Sequence, residues 1–373
     1  MRPPPPASLP PPSVTIVVPT YREVASLPHL LDRLRDLRER LGGHVDVLLM
    51  DDDSRDGSRE LVGARAEPWV QFVVRTTDRG LSSAVLDGFH RATGDVLVCM
   101  DADLSHPPPA VPQMLDKLAA GADFVIGSRY AEGGSTSDDW GFLRWLNSRV
   151  ATLLARPLTA VRDPMAGFFA MRRSTFAAGH DFNPVGYKIG LELLVKCRCE
   201  RVVEVPIHFE DRQYGESKLT LKQQLLYLKH LRRLYVFKYG VWTQVLQFMV
   251  VGGLGTIVNV GALTGFLAAG LSEQLAVAAA IVVALCFNFA LNRRFSFAGA
   301  RRRPWPAQFL RYAAGASVGA LANLAITLLL LRVTTTLSPQ TCALFGIAAG
   351  MGFNFLASRY FVFRAAHVKT AAD

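Results

Sequence analysis

Hydrophobic and polar positions divide this chain of 373 residues into two halves with different periods. From residue 14 to about 130, short Val-, Ile- and Leu-rich runs alternate with stretches whose apolar positions recur every three or four residues. The runs at 14–19, 45–50, 70–75, 96–100 and 124–129 predict strands, and the stretches at 27–41, 58–66 and 80–92 predict helices. Near-continuous apolar strands separated by helices are the mark of a mainly parallel sheet, because crossover helices cover both of its faces. Beyond residue 218 the period changes. Over 219–239, leucines and aromatics recur at 221, 225, 228, 231 and 235 while Lys222, Lys229 and Arg233 share another face. That is an amphipathic basic helix; it could pack on the preceding domain, but its place just before the first long apolar stretch favours lying in the headgroup layer. No charge then occurs in 239–272, 274–292, 312–331 or 333–358. Spanning a bilayer takes about 20 mostly apolar residues, so four transmembrane helices are expected.

The apolar half also repeats. Phe287-Asn288-Phe289 recurs as Phe353-Asn354-Phe355, Arg293-Arg294-Phe295-Ser296-Phe297 as Arg359-Tyr360-Phe361-Val362-Phe363, and Gln247-Phe248 as Gln308-Phe309. Each repeat is a helix pair, so the two copies are expected to share one orientation in the bilayer. Asn259, Asn288, Asn323 and Asn354 fall inside the spans, where they either hydrogen-bond helices together or face a lipid-phosphate path. The resulting domain plan is a proline-rich tail over 1–13, an α/β domain over 14–218, the amphipathic segment 219–241, a membrane domain over 242–366 and a tail over 367–373.

Charge refines the picture. With 41 Lys+Arg against 31 Asp+Glu the net charge is +10, which calls for an anionic partner. Its concentration beside the uncharged spans favours a membrane face over nucleic acid. The loop between the second and third spans carries Arg293, Arg294, Arg301, Arg302, Arg303 and Arg311 without an acid. The positive-inside rule therefore puts that loop, both termini and the α/β domain in the cytoplasm. Five cysteines, an odd set without zinc spacing, predict neither disulfides nor a structural metal. The first residues lack the charged-then-apolar build of a signal peptide.

The candidate chemistry sits at the strand exits, where α/β sheets bind ligands. Thr20, Tyr21, Arg22 and Glu23 follow the first strand, Asp51, Asp52 and Asp53 the second, Arg75 and Asp78 the third, and Asp101 and Asp103 the fourth. Carboxylates at i and i+2 on a chain leaving a strand can share one hard cation, Mg²⁺ or Mn²⁺, whose other ligands are a substrate's diphosphate oxygens. The competing reading is a solvated Asp-rich turn. A fifth strand would deliver Arg129 to the same edge, where a cation could bind phosphate. Arg212 and Lys218 flank Gly215, whose conformational freedom permits a tight turn folding both cations over a phosphate.

Val18-Pro19-Thr20-Tyr21-Arg22-Glu23, Asp51-Asp52-Asp53-Ser54-Arg55-Asp56-Gly57-Ser58 and Asp101-Ala102-Asp103, in this order and spacing, resemble the nucleotide-sugar-binding half of glycosyltransferase family 2 over roughly 14–218. Arg22 stands where that family usually has Asn, and Asp53 where it usually has Gly. The resemblance implies a GT-A fold, with Asp51 and Asp52 near the base and ribose and Asp101 and Asp103 at the diphosphate and its metal. Pro19, Tyr21, Glu23, Ala102 and Ser105 join the nucleotide-sugar site on the same ground. Arg79-Gly80-Leu81-Ser82-Ser83, Leu104-Ser105-His106-Pro107-Pro108, Asp163-Pro164-Met165-Ala166-Gly167-Phe168 and Arg212-Gln213-Tyr214-Gly215-Glu216-Ser217-Lys218 resemble the dolichol-phosphate mannosyltransferase branch, which commonly has Gln where Ser105 stands. The membrane half resembles the four-helix GtrA-like domain.

The resemblance implies an inverting transfer of mannose from GDP-mannose to a polyprenyl monophosphate, dolichyl or undecaprenyl. Asp101, Asp103, Arg129, Arg212 and Lys218 would carry it, with Asp163 as the acceptor-side candidate. Glu192, in an apolar helical pattern, reads equally as a structural ion-pair member. Three alternatives are a UDP-glucose-using relative, a processive polysaccharide synthase and a non-catalytic lipid-sugar carrier. The synthase's Q-x-x-R-W signature is absent, since Gly141 opens Gly141-Phe142-Leu143-Arg144-Trp145.

Overall fold

A computed structural model describes residues 12–136, 142–183, 185–210, 221–297, 304–334 and 336–363. Arg212 and Lys218 lie outside them. The chain divides into two compact units, Met1–Lys238 and Tyr239–Asp373.

In the first unit β1 (Val14–Thr20), α1 (Leu27–Arg40), β2 (Val45–Asp51), α2 (Ser58–Arg65), β3 (Val70–Val74), α3 (Leu81–Arg91) and β4 (Val96–Cys99) follow the predicted alternation. They continue into α4 (Val111–Ala119), β5 (Phe124–Ser128), a short β6 (Ser135–Thr136), α5 (Phe142–Ala155), β7 (Phe169–Arg172), α6 (Arg173–Ala178), α7 (Ile189–Lys196), β8 (Val202–Pro206) and β9 (His208–Phe209). The seven-stranded sheet has the order β3-β2-β1-β4-β7-β5-β8. All of its pairings are parallel except those of β7, which runs antiparallel between β4 and β5.

The period of two sorts each strand between two cores. Val14, Ile16 and Val18 of β1, with Val45, Val47 and Leu49 of β2, face α1 and α4 through Leu27, Leu30, Leu34, Met114 and Leu118. Val17, Leu48, Met50, Leu97 and Cys99 face the other way, onto Val85 and Phe89 of α3 and Ile189 and Leu193 of α7. A sheet covered on both faces leaves only its edges and strand ends for ligands. The reversed strand matters here: a chain entering β7 starts at the edge where β4 and β5 finish, so the loop 163–168 arrives beside Asp101 and Arg129. Sequence periodicity did not flag β7, a four-residue strand inside a motif read for its chemistry.

Helix α8 (Leu221–Tyr239) packs Leu231 and Leu234 against Ala155, Leu158, Leu191 and Val195. Tyr227 and Tyr235 hydroxyls donate to the carbonyls of Ala151 and Leu154, each at 2.7 Å. One face of this helix is thus fixed to the first unit, while Leu225 and Leu228 stay exposed. Alongside it, α5 also exposes Leu146, Val150 and Leu153. Glu192 is a structural ion-pair member: it meets Lys196 Nζ at 2.6 Å and lies 3.7 Å from His230 of α8, all three buried.

The second unit comprises α9 (Val241–Ala268), α10 (Glu273–Leu291), α11 (Trp305–Val333) and α12 (Pro339–Ala357). Five-residue π-helical segments, Asn292–Ser296 and Ser358–Val362, close α10 and α12. Among the described residues, three helices (Val241–Ala268, Glu273–Ser296 and Trp305–Val333) are long and apolar enough to cross a membrane. The internal repeat appears as two copies of long helix, 19-residue helix and π segment.

Candidate active site

Four strand ends converge. The register pairs Thr20 with Asp51 across β1 and β2, and Val17 with Cys99 across β1 and β4, which brings the residues after all three strands to one edge. Asp51 is buried and accepts hydrogen bonds from Thr20 Oγ1 at 3.2 Å and from the Ser54 amide at 2.8 Å. Asp52 is buried too; it pairs with Arg75 and accepts the Gly80 amide at 2.7 Å. Arg75 in turn donates to the Asp78 carbonyl at 2.8 Å and Ser83 Oγ at 3.1 Å. Burying a carboxylate is costly unless its oxygens find partners; hydrogen bonds serve Asp51, and the guanidinium and an amide serve Asp52. Arg75, Ser54 and Gly80 therefore belong to the site's frame, Arg75 standing at a strand exit and Ser54 and Gly80 within the motifs that carry the resemblance. Asp53 turns outward at positive φ and pairs with Arg55 and Arg79, whose charges hold its pKa below the usual carboxylate value, the Arg55 hydrogen bond foremost.

Tyr21 is exposed, with the Arg22 guanidinium 5.3 Å from its ring centroid. Glu23 accepts from Ser26 Oγ at 3.1 Å and begins the turn into α1. Pro19 is level with Met50 on β2.

At the end of β4, the Asp101 amide donates to His106 Nδ1 at 2.9 Å. His106 is buried and stacked on Phe168, and burial pushes its pKa down, so it remains neutral at this edge. Asp103 Oδ1 accepts the amide and the hydroxyl of Ser105, at 3.1 and 2.5 Å. Ala102, Asp103 and Ser105 are all buried. The Asp101-to-Ser105 segment is thus a packed, self-bonded turn and not the solvated surface loop that an acid-rich stretch suggests. A Cβ on Gly167 would sit 3.4 Å from Asp101 Oδ2 and from His106 Cε1. The missing side chain leaves the Asp101 carboxylate its room. Hard oxygen donors at i and i+2 suit Mg²⁺ or Mn²⁺ with substrate and water completing the shell. No cluster of three or more His, Cys, Asp or Glu that could hold a metal by itself occurs among the described residues.

Arg129 and Asp163 do meet, but in each other. Arg129 Nε and Nη2 donate to the two Asp163 oxygens at 2.8 and 2.9 Å, and the Arg129 amide adds a third bond at 3.3 Å. Asp163 is fully buried, its own amide held by Glu204 at 2.9 Å. Burial opposes the charge on Arg129, yet the hydrogen bonds and charge of Asp163 keep its pKa above the ordinary value. The pair ties the exit of β5 to the loop entering β7. The bidentate pair takes Nε and Nη2 of the guanidinium and both carboxylate oxygens. Arg212 and Lys218, the remaining two, fall outside the described residues.

Residues 15–179 match glycosyl transferase family 2, and 247–363 match the GtrA/DPMS transmembrane domain. Fold and strand-end carboxylates accord with the first match, the repeated helix pairs with the second. A dolichol-phosphate mannosyltransferase of Pyrococcus furiosus is 35% identical over 93% of this chain and 98% of its own. An undecaprenyl-phosphate mannosyltransferase of Micrococcus luteus is 37% identical over 56% of this chain and 87% of its own. Among solved structures, glucosyl-3-phosphoglycerate synthase from Mycobacterium tuberculosis overlaps remotely, at 18% identity and TM-score 0.48 over 61% of this chain and 80% of that one. The chain belongs to the dolichol-phosphate mannosyltransferase family, a glycosyltransferase family 2 enzyme with a GT-A-like domain followed by a helical membrane domain.

Proposed function

We propose that this enzyme transfers mannose from GDP-mannose to a polyprenyl monophosphate, with inversion, at the cytoplasmic face of a membrane. The observation that carries the reading is the strand-end constellation of Asp51, Asp52, Asp101 and Asp103 in a chain that matches a dolichol-phosphate mannosyltransferase along nearly its whole length. Asp51 and Asp52, rigidly held, take the base and ribose, with Tyr21 as the exposed ring at the mouth. Asp101 and Asp103 would hold Mg²⁺ or Mn²⁺, which when bound would supply positive charge to a diphosphate leaving group.

A phosphate monoester is largely ionised at pH 7, with a second pKa of about 6, so the acceptor oxygen is already a nucleophile and needs no general base. The ion pair of Asp163 with Arg129 suits this economy, since no carboxylate is left over at that position. The protein's task is then alignment of the acceptor oxygen behind the anomeric carbon while the diphosphate leaves. Arg212 and Lys218 are the cations assigned to the phosphates, and Arg129 is assigned to positioning the Asp163 loop. The acceptor's chain stays in the bilayer, so the site works at headgroup height, with α8 and the exposed leucines of α5 against the membrane surface.

The test is product analysis with purified full-length enzyme, a short polyprenyl phosphate and either GDP-mannose or UDP-glucose. Release of GDP dependent on both lipid and divalent metal, with β-linked product, is the expected result. Undiminished turnover in excess chelator, or preference for UDP-glucose, overturns the metal or the donor assignment respectively.

A further inference from the structure

The turn that follows β4 carries the two carboxylates assigned to the metal, and its backbone is held in an uncommon conformation. Sheet pairing stops just before it. The Met100 amide still donates to the Val17 carbonyl at 3.2 Å, and Asp101 is the first residue whose amide leaves the ladder. The chain then reverses through Leu104 at φ +66°, a left-handed conformation that bulky residues rarely adopt. Leu104 is buried in one core with Met100, Val111 and Met114, so packing keeps it there. A residue in such a conformation persists only where its surroundings over-determine it, and such residues cluster at functional sites.

His106 closes the turn. Its Nδ1 accepts the Asp101 amide at 2.9 Å, and because that amide can only donate, the ring proton belongs on Nε2. The nearer Asp101 oxygen lies 3.9 Å from the same nitrogen, beyond hydrogen-bond reach. The histidine therefore holds the backbone of Asp101 and not its carboxylate. The ring is in turn gripped from two sides. Phe168 stacks on it at 5.2 Å with the planes 16° apart, and Phe209 of β9 meets it edge-on at 5.8 Å. Phe168 ends the loop that the antiparallel β7 brings to this edge, and the Phe209 ring also lies 5.0 Å from the Arg129 guanidinium. With 3% of its surface exposed, a side chain clamped between two aromatic rings has one orientation, and so has the amide it holds.

We propose that His106 is a positioning residue for the metal: through Nδ1 it fixes the Asp101 backbone, and with it the direction in which the Asp101 carboxylate leaves the turn. The ligand is a hard divalent cation, and the inference rests on the proposed function for the assignment of that cation to Asp101 and Asp103. Groups that orient metal ligands are worth about 10- to 100-fold in metal affinity. What counts is a single acceptor atom and not the bulk of the ring, which separates positioning from packing.

Two substitutions divide the ring into these two properties. His106→Phe keeps an aromatic ring between Phe168 and Phe209 but removes the acceptor. His106→Asn removes the ring but puts Oδ1 where Nδ1 stood. The experiment titrates Mn²⁺ into full-length protein in detergent with saturating GDP and follows the bound ion by its paramagnetic resonance. Binding that survives in Asp103→Asn is subtracted. The expected result is Mn²⁺ affinity weakened about tenfold or more in His106→Phe and close to wild type in His106→Asn. The asparagine variant should nevertheless have the lower melting temperature, since it loses both aromatic contacts. Wild-type affinity in a folded His106→Phe overturns the inference alone. Affinity lost in His106→Asn as fully as in His106→Phe overturns it too, and makes the ring a packing element. Should His106→Phe fail to fold, the asparagine variant decides: affinity retained without the ring supports the acceptor role, and affinity lost rejects it. Absence of any Asp103-dependent binding in the wild type rejects the metal assignment of the proposed function and the inference with it.

Discussion

At the scale of single residues, the site is a set of buried charges each matched by a dedicated partner, and its predictions concern broken matches. Arg75→Met leaves Asp52 buried without its guanidinium, and losing one partner of a buried pair costs about 3–5 kcal/mol. Denaturant unfolding is expected to show a loss of that order, partly restored by adding Asp52→Leu, whereas nucleotide binding stays impaired in both variants. Asp103→Asn keeps shape and removes charge. Mannosyl transfer should fall by orders of magnitude with only a modest change in melting temperature, since the Asp103 contacts to Ser105 are hydrogen bonds within one turn. Wild-type rates in that variant would reject the metal assignment. For the undescribed segment, Lys218→Glu is expected to cut turnover by orders of magnitude, and an effect confined to membrane binding would make it an interfacial anchor instead.

At the scale of elements, α8 is joined to α7 by the buried group of Glu192, Lys196 and His230, on which the charge of Arg233 also acts. Burial lowers the pKa of His230 from its ordinary 6.5, the Lys196 and Arg233 charges add to that, and Glu192 opposes it. A depressed histidine pKa means that the unfolded chain binds more protons just below pH 6.5, so stability falls as pH drops through that range. The melting temperature should decrease between pH 7.5 and 5.5, and His230→Leu should flatten part of the decrease. An unchanged slope would assign the acid sensitivity elsewhere. Elements were also what the sequence disclosed best. Strands β1 to β5 and helices α1 to α3 follow directly from apolar period, because each buries one continuous stripe or run. What stayed hidden needed three dimensions: β7 is too short for a period and reverses direction, and the Arg129–Asp163 pair joins residues 34 positions apart. Polarity along a chain does not say which two ions will neutralise each other. The packed state of the Asp101-to-Ser105 turn was equally invisible, since Asp and Ser signal exposure until their mutual hydrogen bonds are known.

At the scale of the whole molecule, two units divide the labour, and the proposed reaction uses the second chiefly to keep the first at a membrane. Ending the chain just before Trp242 should leave a protein that still transfers mannose to a short polyprenyl phosphate in detergent, at a rate within about tenfold of the full chain when the chemical barrier is unaltered. Loss of all transfer would place part of the acceptor site in the membrane unit. The two copies of the repeat in that unit are tied to each other by side-chain contacts. Arg293 of the first copy reaches Gln308 of the second, and Arg359 of the second reaches Gln244 of the first. Phe297 and Phe363, which occupy the same place in the two copies, stack on each other at 4.8 Å. The two arginines, equivalent in the repeat, thus each reach a glutamine near the start of the other copy's long helix, and the two equivalent phenylalanines meet between them. Cutting the chain between Phe297 and Pro304 would therefore leave two helix pairs that still share the Arg293–Gln308, Arg359–Gln244 and Phe297–Phe363 contacts.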